Sequence, residues 1–188
     1  MIDVNSNKLV KTSYTKEDVV LLLKDLTPFM KEVDTREREA LIKSGIHYSE
    51  MLPMEHKPSD DYINLYNKIC REQLDELAYL IAKLSERLIL IHGEKLVLIS
   101  LARAGLPVGV FIKRYLKKKY GLNIPHYGIS IIRDKGIDEN AMEYIYSKHG
   151  KQSGVLHFQF VDGWTGKGMI SSVLNKSIES LEEKICIK

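Results

Sequence analysis

The spacing of apolar residues changes near Gly93. Before it they recur every three or four positions; after it, short unbroken apolar runs alternate with amphipathic stretches. The runs are KLVLISL from Lys95, HYGISIIR from His126 to Arg133 and VLHFQFV from Val155 to Val161. Short and rich in branched and aromatic residues, each predicts a strand covered on both faces. A loop and a helix follow each one. ARAG leads into a helix with Pro107 near its start, a core face of Val108, Phe111, Ile112, Tyr115 and Leu116, and Gly121 at its end. DKGI leads to a helix capped by Asp138, and DGWTGKG to a helix from Met169 to Glu183. This order predicts an α/β protein, a mostly parallel sheet flanked by helices. Ligands of such sheets bind at the carboxyl ends of the strands, where all three loops emerge.

The N-terminal part reads differently. Thr15 and Asp18 have the spacing of a helix cap, predicting a short helix over Val19 to Leu23. Thr35 caps a second helix that Gly45 ends, and Gly45 to Ser59 reads as an ordered loop. Ser59, with Asp60 and Asp61, opens a long helix whose core face is Tyr62, Leu65, Tyr66, Ile69, Leu77, Ile81, Leu84 and Leu88. The expected division is a helical N-terminal addition and loop over 1–58 and an α/β domain over 59–188. KICIK at the C-terminus reads as the start of a strand, as in a fragment or a short member of a family of longer proteins.

The 188 residues suffice for one sizeable core. No run approaches the roughly 18 apolar residues of a membrane span, and the N-terminus lacks a basic start with an apolar stretch, so a cytoplasmic protein is expected. The net charge of +3 is too small to point to nucleic acid, and Lys117 to Lys119 read as a solvated helix end. Cys70 and Cys186, the two cysteines, lie outside any metal-ligand spacing and are expected to be reduced. Cys70, on the apolar side of the long helix, reads as a buried inert thiol.

DGWTGKG opens a helix directly after a strand, so free backbone N–H groups and the helix dipole can hold an anion. Gly163, Gly166 and Gly168 allow close approach, while Thr165 adds a hydroxyl and Lys167 a charge. The alternative is a glycine-rich turn with an exposed lysine. An ATP-binding Walker loop does not fit, because Val161 stands where its first glycine belongs and Gly168 replaces its hydroxyl. His47, Tyr48, Glu50, Glu55 and His56 could line an acceptor pocket or supply a general base, or form a polar loop on the sheet edge. His126 reads as a satisfied structural histidine.

FQFVDGWTGKG resembles the activated-ribose site of type I phosphoribosyltransferases. Together with ISLARAGLPVG, HYGISIIRDKGIDENA and GIHYSEMLPMEHKPS, it resembles the orphan phosphoribosyltransferase-like family of bacterial tellurite-resistance gene clusters, also labelled cysteine protease StiP. The resemblance implies a type I phosphoribosyltransferase-like sheet that binds a phosphoribosyl donor and transfers phosphoribose to an unknown acceptor. Asp162 would bind the ribose hydroxyls, with Gly163, Thr165, Gly166, Lys167 and Gly168 around the 5′-phosphate. Ala102, Arg103, Ala104 and Gly105 would form the pyrophosphate loop, and Arg133, Lys135 and Asp138 a covering loop. His47, Tyr48 and Glu50 would line the acceptor pocket. Arg103, Arg133 and Asp162 would be catalytic, with Mg²⁺ held through the substrate and Asp162 rather than by a dedicated site. A homodimer is a candidate assembly. The chain has one acid at Asp162 where most type I enzymes have two, and Gly168 for the last threonine. A non-catalytic nucleotide sensor and a thiol hydrolase are the alternatives.

Overall fold

The computed structural model describes residues 10, 12–150, 157–164 and 166–185. In chain order the elements are β1 (Val20–Leu21), β2 (Glu32–Val33), α1 (Thr35–Lys43), β3 (Leu52–Pro53), α2 (Asp60–His92), β4 (Leu96–Leu101), α3 (Gly105–Tyr120), β5 (His126–Ile129), β6 (Ile131–Ile132), β7 (Gly136–Ile137), α4 (Glu139–His149), β8 (His157–Val161) and α5 (Met169–Ile185), with short 3-10 turns over Thr27–Phe29 and Tyr48–Glu50. The described residues form two compact units. One takes in those of Met1–Leu23 and Ala78–Lys188, the other Lys24–Leu77.

The first unit is built on a four-stranded sheet in the order β1-β5-β4-β8, parallel throughout. Strand β4 is central and wholly buried. Its alternate side chains enter two cores, as the two-residue period of a strand requires. Val97, Ile99 and Leu101 pack with Tyr127, Ile129, Met142, Ile145 and Leu181, and so with α4 and α5. Leu96 and Leu98 pack with Ile81 and Leu88 of α2 and with Ile112 and Leu116 of α3. Burying each such side chain stabilises the fold by about 1.5–3 kcal/mol. The mixed α/β architecture with helices on both faces of a mostly parallel sheet therefore follows the pattern of the sequence.

The second unit holds α1, the N-terminal part of α2 and a parallel two-stranded pairing of β2 with β3, Glu32 opposite Leu52 and Val33 opposite Pro53. Asp34, one residue before Thr35, caps α1 by accepting a hydrogen bond from the Glu37 amide at 2.9 Å. Ser59 does start α2, its hydroxyl accepting from the Tyr62 amide at 3.2 Å.

Several expectations need correcting. Val19 to Leu23 is not a helix. The Asp18 carboxylate folds back onto the Thr15 amide at 3.1 Å, and the chain leaves that turn extended, pairing Val20 with Tyr127 and Leu21 with Gly128. Sheet pairing has overridden the cap signal because β-branched Val19 and Val20 suit a strand. Strand β5 stops at Ile129, and Ile131–Ile132 turns back in an antiparallel hairpin with Gly136–Ile137. Along α2, Ile81 and Leu88 are buried in the core of the first unit, but Tyr62, Leu65, Tyr66, Ile69, Leu77 and Leu84 are exposed. Cys70 is likewise exposed rather than buried. Phe111, assigned to a core face, is also exposed. Lys184 and Ile185 of the expected terminal strand end α5 instead, while Cys186, Thr165 and the start of the third apolar run at Val155 lie outside the described residues. No helix among the described residues is long and apolar enough to cross a membrane.

Candidate functional site

Parallel pairing places the carboxyl ends of β4, β5 and β8 at one edge of the first unit. The chain leaves β4 in a tight turn, with the Ala102 amide donating to the Ile129 carbonyl at 2.7 Å and the Arg103 amide to the Leu101 carbonyl at 2.6 Å. Helix α3 begins two residues later, at Gly105. A Cβ on Gly105 would run into the Val161 carbonyl oxygen, and one on Gly163 would come within 2.6 Å of the Ala104 carbonyl oxygen. These two glycines let the loops after β4 and β8 lie backbone against backbone.

That contact brings Arg103 and Asp162 together. Arg103 Nε stands 3.7 Å from Asp162 Oδ1, which also accepts from the Gly163 amide at 2.8 Å. The Asp162 side chain is 5% exposed and the Arg103 side chain 36%. Asp162 Oδ2 is buried and has no hydrogen-bond partner. A desolvated carboxylate oxygen without a donor is costly, on the order of 1–3 kcal/mol, so a hydroxyl or a cation arriving there would be favoured. Trp164, Gly166, Lys167 and Gly168 follow at the surface and lead into α5. Thr165, assigned to the same loop, is outside the described residues.

The remaining assigned residues lie on other elements. Arg133 and Lys135 flank the turn of the β6–β7 hairpin, where Asp134 takes a positive φ of 67°. Asp138 spends one oxygen on capping α4, accepting from the Ala141 amide at 3.1 Å. His47, Tyr48 and Glu50 belong to the second unit. There His47 Nδ1 lies 2.7 Å from Ser49 Oγ and its ring stacks on Tyr48 at 4.5 Å between centroids. Among the described residues, no group of three or more His, Cys, Asp or Glu side chains is arranged to hold a metal ion.

His126 is the satisfied histidine that the sequence indicated, but its partners, and the ion pair at Asp18, were not legible in it. His126, 2% exposed, lies between Ser100 Oγ and the Asp18 carbonyl oxygen at 2.8 Å each. A carbonyl can only accept, so Nδ1 carries the hydrogen. Burial pushes the His126 pKa down to about 4, leaving the ring neutral. The Ser100 and His126 side chains are both buried and tie β4 to β5. The Asp18 carboxylate is gripped by Arg114 through Nε and Nη2 at 2.7 Å each, which holds its pKa well below the usual carboxylate range.

In the second unit, Cys70 is the free cysteine among the described residues and is open to solvent. Tyr66 stands one helical turn earlier on α2, and the neighbouring thiol raises its phenol pKa.

A family described as "Tellurite-like stress resistance cysteine protease StiP" matches residues 12–187. A curated relative, "Cysteine protease StiP" of Acinetobacter baylyi (strain ATCC 33305 / BD413 / ADP1), is 41% identical over 167 residues, covering 88% of this chain. The chain spans 42% of that relative's length. No solved structure matches. Both names overturn the expected transfer of phosphoribose and the transferase class assigned with it, since each names a cysteine protease.

Proposed function

The chain belongs to the StiP family of tellurite-like stress resistance proteins, and from that premise we propose that it acts in thiol-dependent hydrolysis of peptide bonds with Cys70 as the nucleophile. The observation that carries this reading is the solvent-exposed free thiol of Cys70 on α2. Thiolate is the attacking species, and a thiol open to solvent can be reached by a substrate. Attack on a carbonyl carbon forms the C–S bond, the C–N bond breaks with a proton delivered to the leaving amine, and water then releases the acid and restores the thiol. His47 and His56, in the same unit, are the residues we assign as alternatives for the proton-accepting group.

The test is hydrolysis of a denatured protein substrate, alongside alkylation by iodoacetamide. Cys70→Ala should abolish both cleavage and modification at that position, and either His47→Ala or His56→Ala should lower the rate of cleavage while leaving alkylation of Cys70 in place. Cleavage that survives Cys70→Ala and is lost in Cys186→Ala would move the nucleophile to the C-terminus.

One observation favours a second role for the other unit: the buried, unpartnered Asp162 Oδ2 beside Arg103. It supports binding, without turnover, of a nucleotide-like ligand whose hydroxyls meet Asp162 and whose phosphate meets the loop from Gly166 to Gly168. Mg²⁺ would fit as the cation bridging ligand oxygens near that carboxylate. The parallel sheet and the order of its loops support a type I phosphoribosyltransferase-like fold put to this use.

A further inference from the structure

We propose that His92 and His157 form an open site for a divalent transition metal ion such as Zn²⁺. The two residues come from different elements at the amino edge of the sheet, away from Arg103 and Asp162. His92 is the last residue of α2 and His157 the first of β8. The His157 amide donates to the Lys95 carbonyl at 2.9 Å, and His157 pairs with Leu96, which fixes the start of β8 beside the turn that follows His92. The two ring centroids lie 4.7 Å apart with the planes tilted by 40°.

Three physical features point to a cation there. His92 Nδ1 is buried and has no hydrogen-bond partner, an uncommon state for an imidazole nitrogen that a metal ion would relieve. His92 sits at the carboxyl end of a 33-residue helix, where the backbone dipole is negative and favours positive charge. Two imidazoles brought together by different elements supply two neutral nitrogen donors, the ligand type preferred by zinc, copper and nickel over magnesium or calcium. Two protein ligands leave the remaining coordination positions to water or to an arriving ligand, so the site is open rather than structural. It shares no residue with the Cys70 or Asp162 sites, and its test is independent of them.

The experiment uses the full chain with Cys70→Ser and Cys186→Ser, so that thiols do not compete. Zn²⁺ titration by calorimetry should give one saturable equivalent. His92→Ala and His157→Ala should each weaken it by about tenfold or more, and the double variant should bind no more tightly than either. His149→Ala, at the end of α4, should leave the affinity unchanged. As a readout independent of the folding of any variant, Cu²⁺ bound to the protein with both histidines is read by electron paramagnetic resonance, where coupling to two nitrogens is expected. Absence of saturable binding, full affinity in both single variants, or a spectrum without two coupled nitrogens would overturn the assignment.

Discussion

His126 donates from Nδ1 to the Asp18 carbonyl across 2.8 Å, joining positions 108 residues apart in the chain. Its other nitrogen meets Ser100 Oγ on β4, whose hydroxyl also lies 3.0 Å from the Gly105 carbonyl. One buried ring thus ties the segment before β1 to β5, to the central strand and to the start of α3.

This ring makes stability depend on pH. Its folded pKa of about 4 lies below the ordinary 6.5, so between those values the unfolded chain takes up a proton that the folded chain refuses. Stability should be full above pH 6.5 and decline as pH falls toward 4, by about 3 kcal/mol for the 1.36 kcal/mol per unit of linkage. His149, also lowered by burial, acts in the same direction. Urea unfolding of the wild type and of His126→Gln at pH 7.5 and 5 should show the wild type losing the larger share. Equal losses in the two proteins would show that another group dominates.

The grip of Arg114 on Asp18 should matter above the acid range. With its folded pKa depressed, Asp18 contributes stability that is present above the ordinary 3.8 and lost as pH falls further. At neutral pH, Asp18→Asn should lower stability by about 1–2 kcal/mol, since it weakens two charge-assisted bonds but keeps the shape. The melting temperature at pH 7 is the measurement. No change would mean that the exposed Arg114 side chain gains little from the pair.

Gly105 and Gly166 should respond oppositely to alanine. The added methyl at Gly105 meets main-chain atoms of β8 that cannot move aside, whereas nothing lies within 4 Å of one at Gly166. Gly105→Ala should therefore cost about 1–3 kcal/mol or more, read as a lower urea midpoint, and Gly166→Ala should stay within about 0.5 kcal/mol of wild type. Gly166→Val should remain folded yet lose nucleotide binding, because its branches would intrude on the anion position.

Asp162→Asn is the sharpest test of the ligand role assigned to the sheet edge. The change preserves shape but removes the negative charge opposite Arg103. Calorimetry with adenosine monophosphate and Mg²⁺ should show affinity falling at least tenfold, about 1.4 kcal/mol, with the melting temperature nearly unchanged. Unaltered affinity would place the ligand elsewhere.

Local pattern was enough for the strands at Leu96, His126 and Val161, for the long helix beginning after Ser59 and for the cap at Asp138, because a strand's burial on both faces and a helix's start leave their mark in adjacent residues. It also placed Arg103 and Asp162 at one edge, since parallel strands share a direction. Short-range signals misled where distant partners competed: Val20 and Leu21 became a strand because β5 was there to pair with them. The apolar rhythm of α2 could not tell which turns would be buried, so the exposure of Cys70 was decided by packing alone. The same holds for His126 between Ser100 and Asp18 and for His92 against His157. Those pairs join residues far apart in sequence, and their chemistry exists only once the sheet has set their spacing.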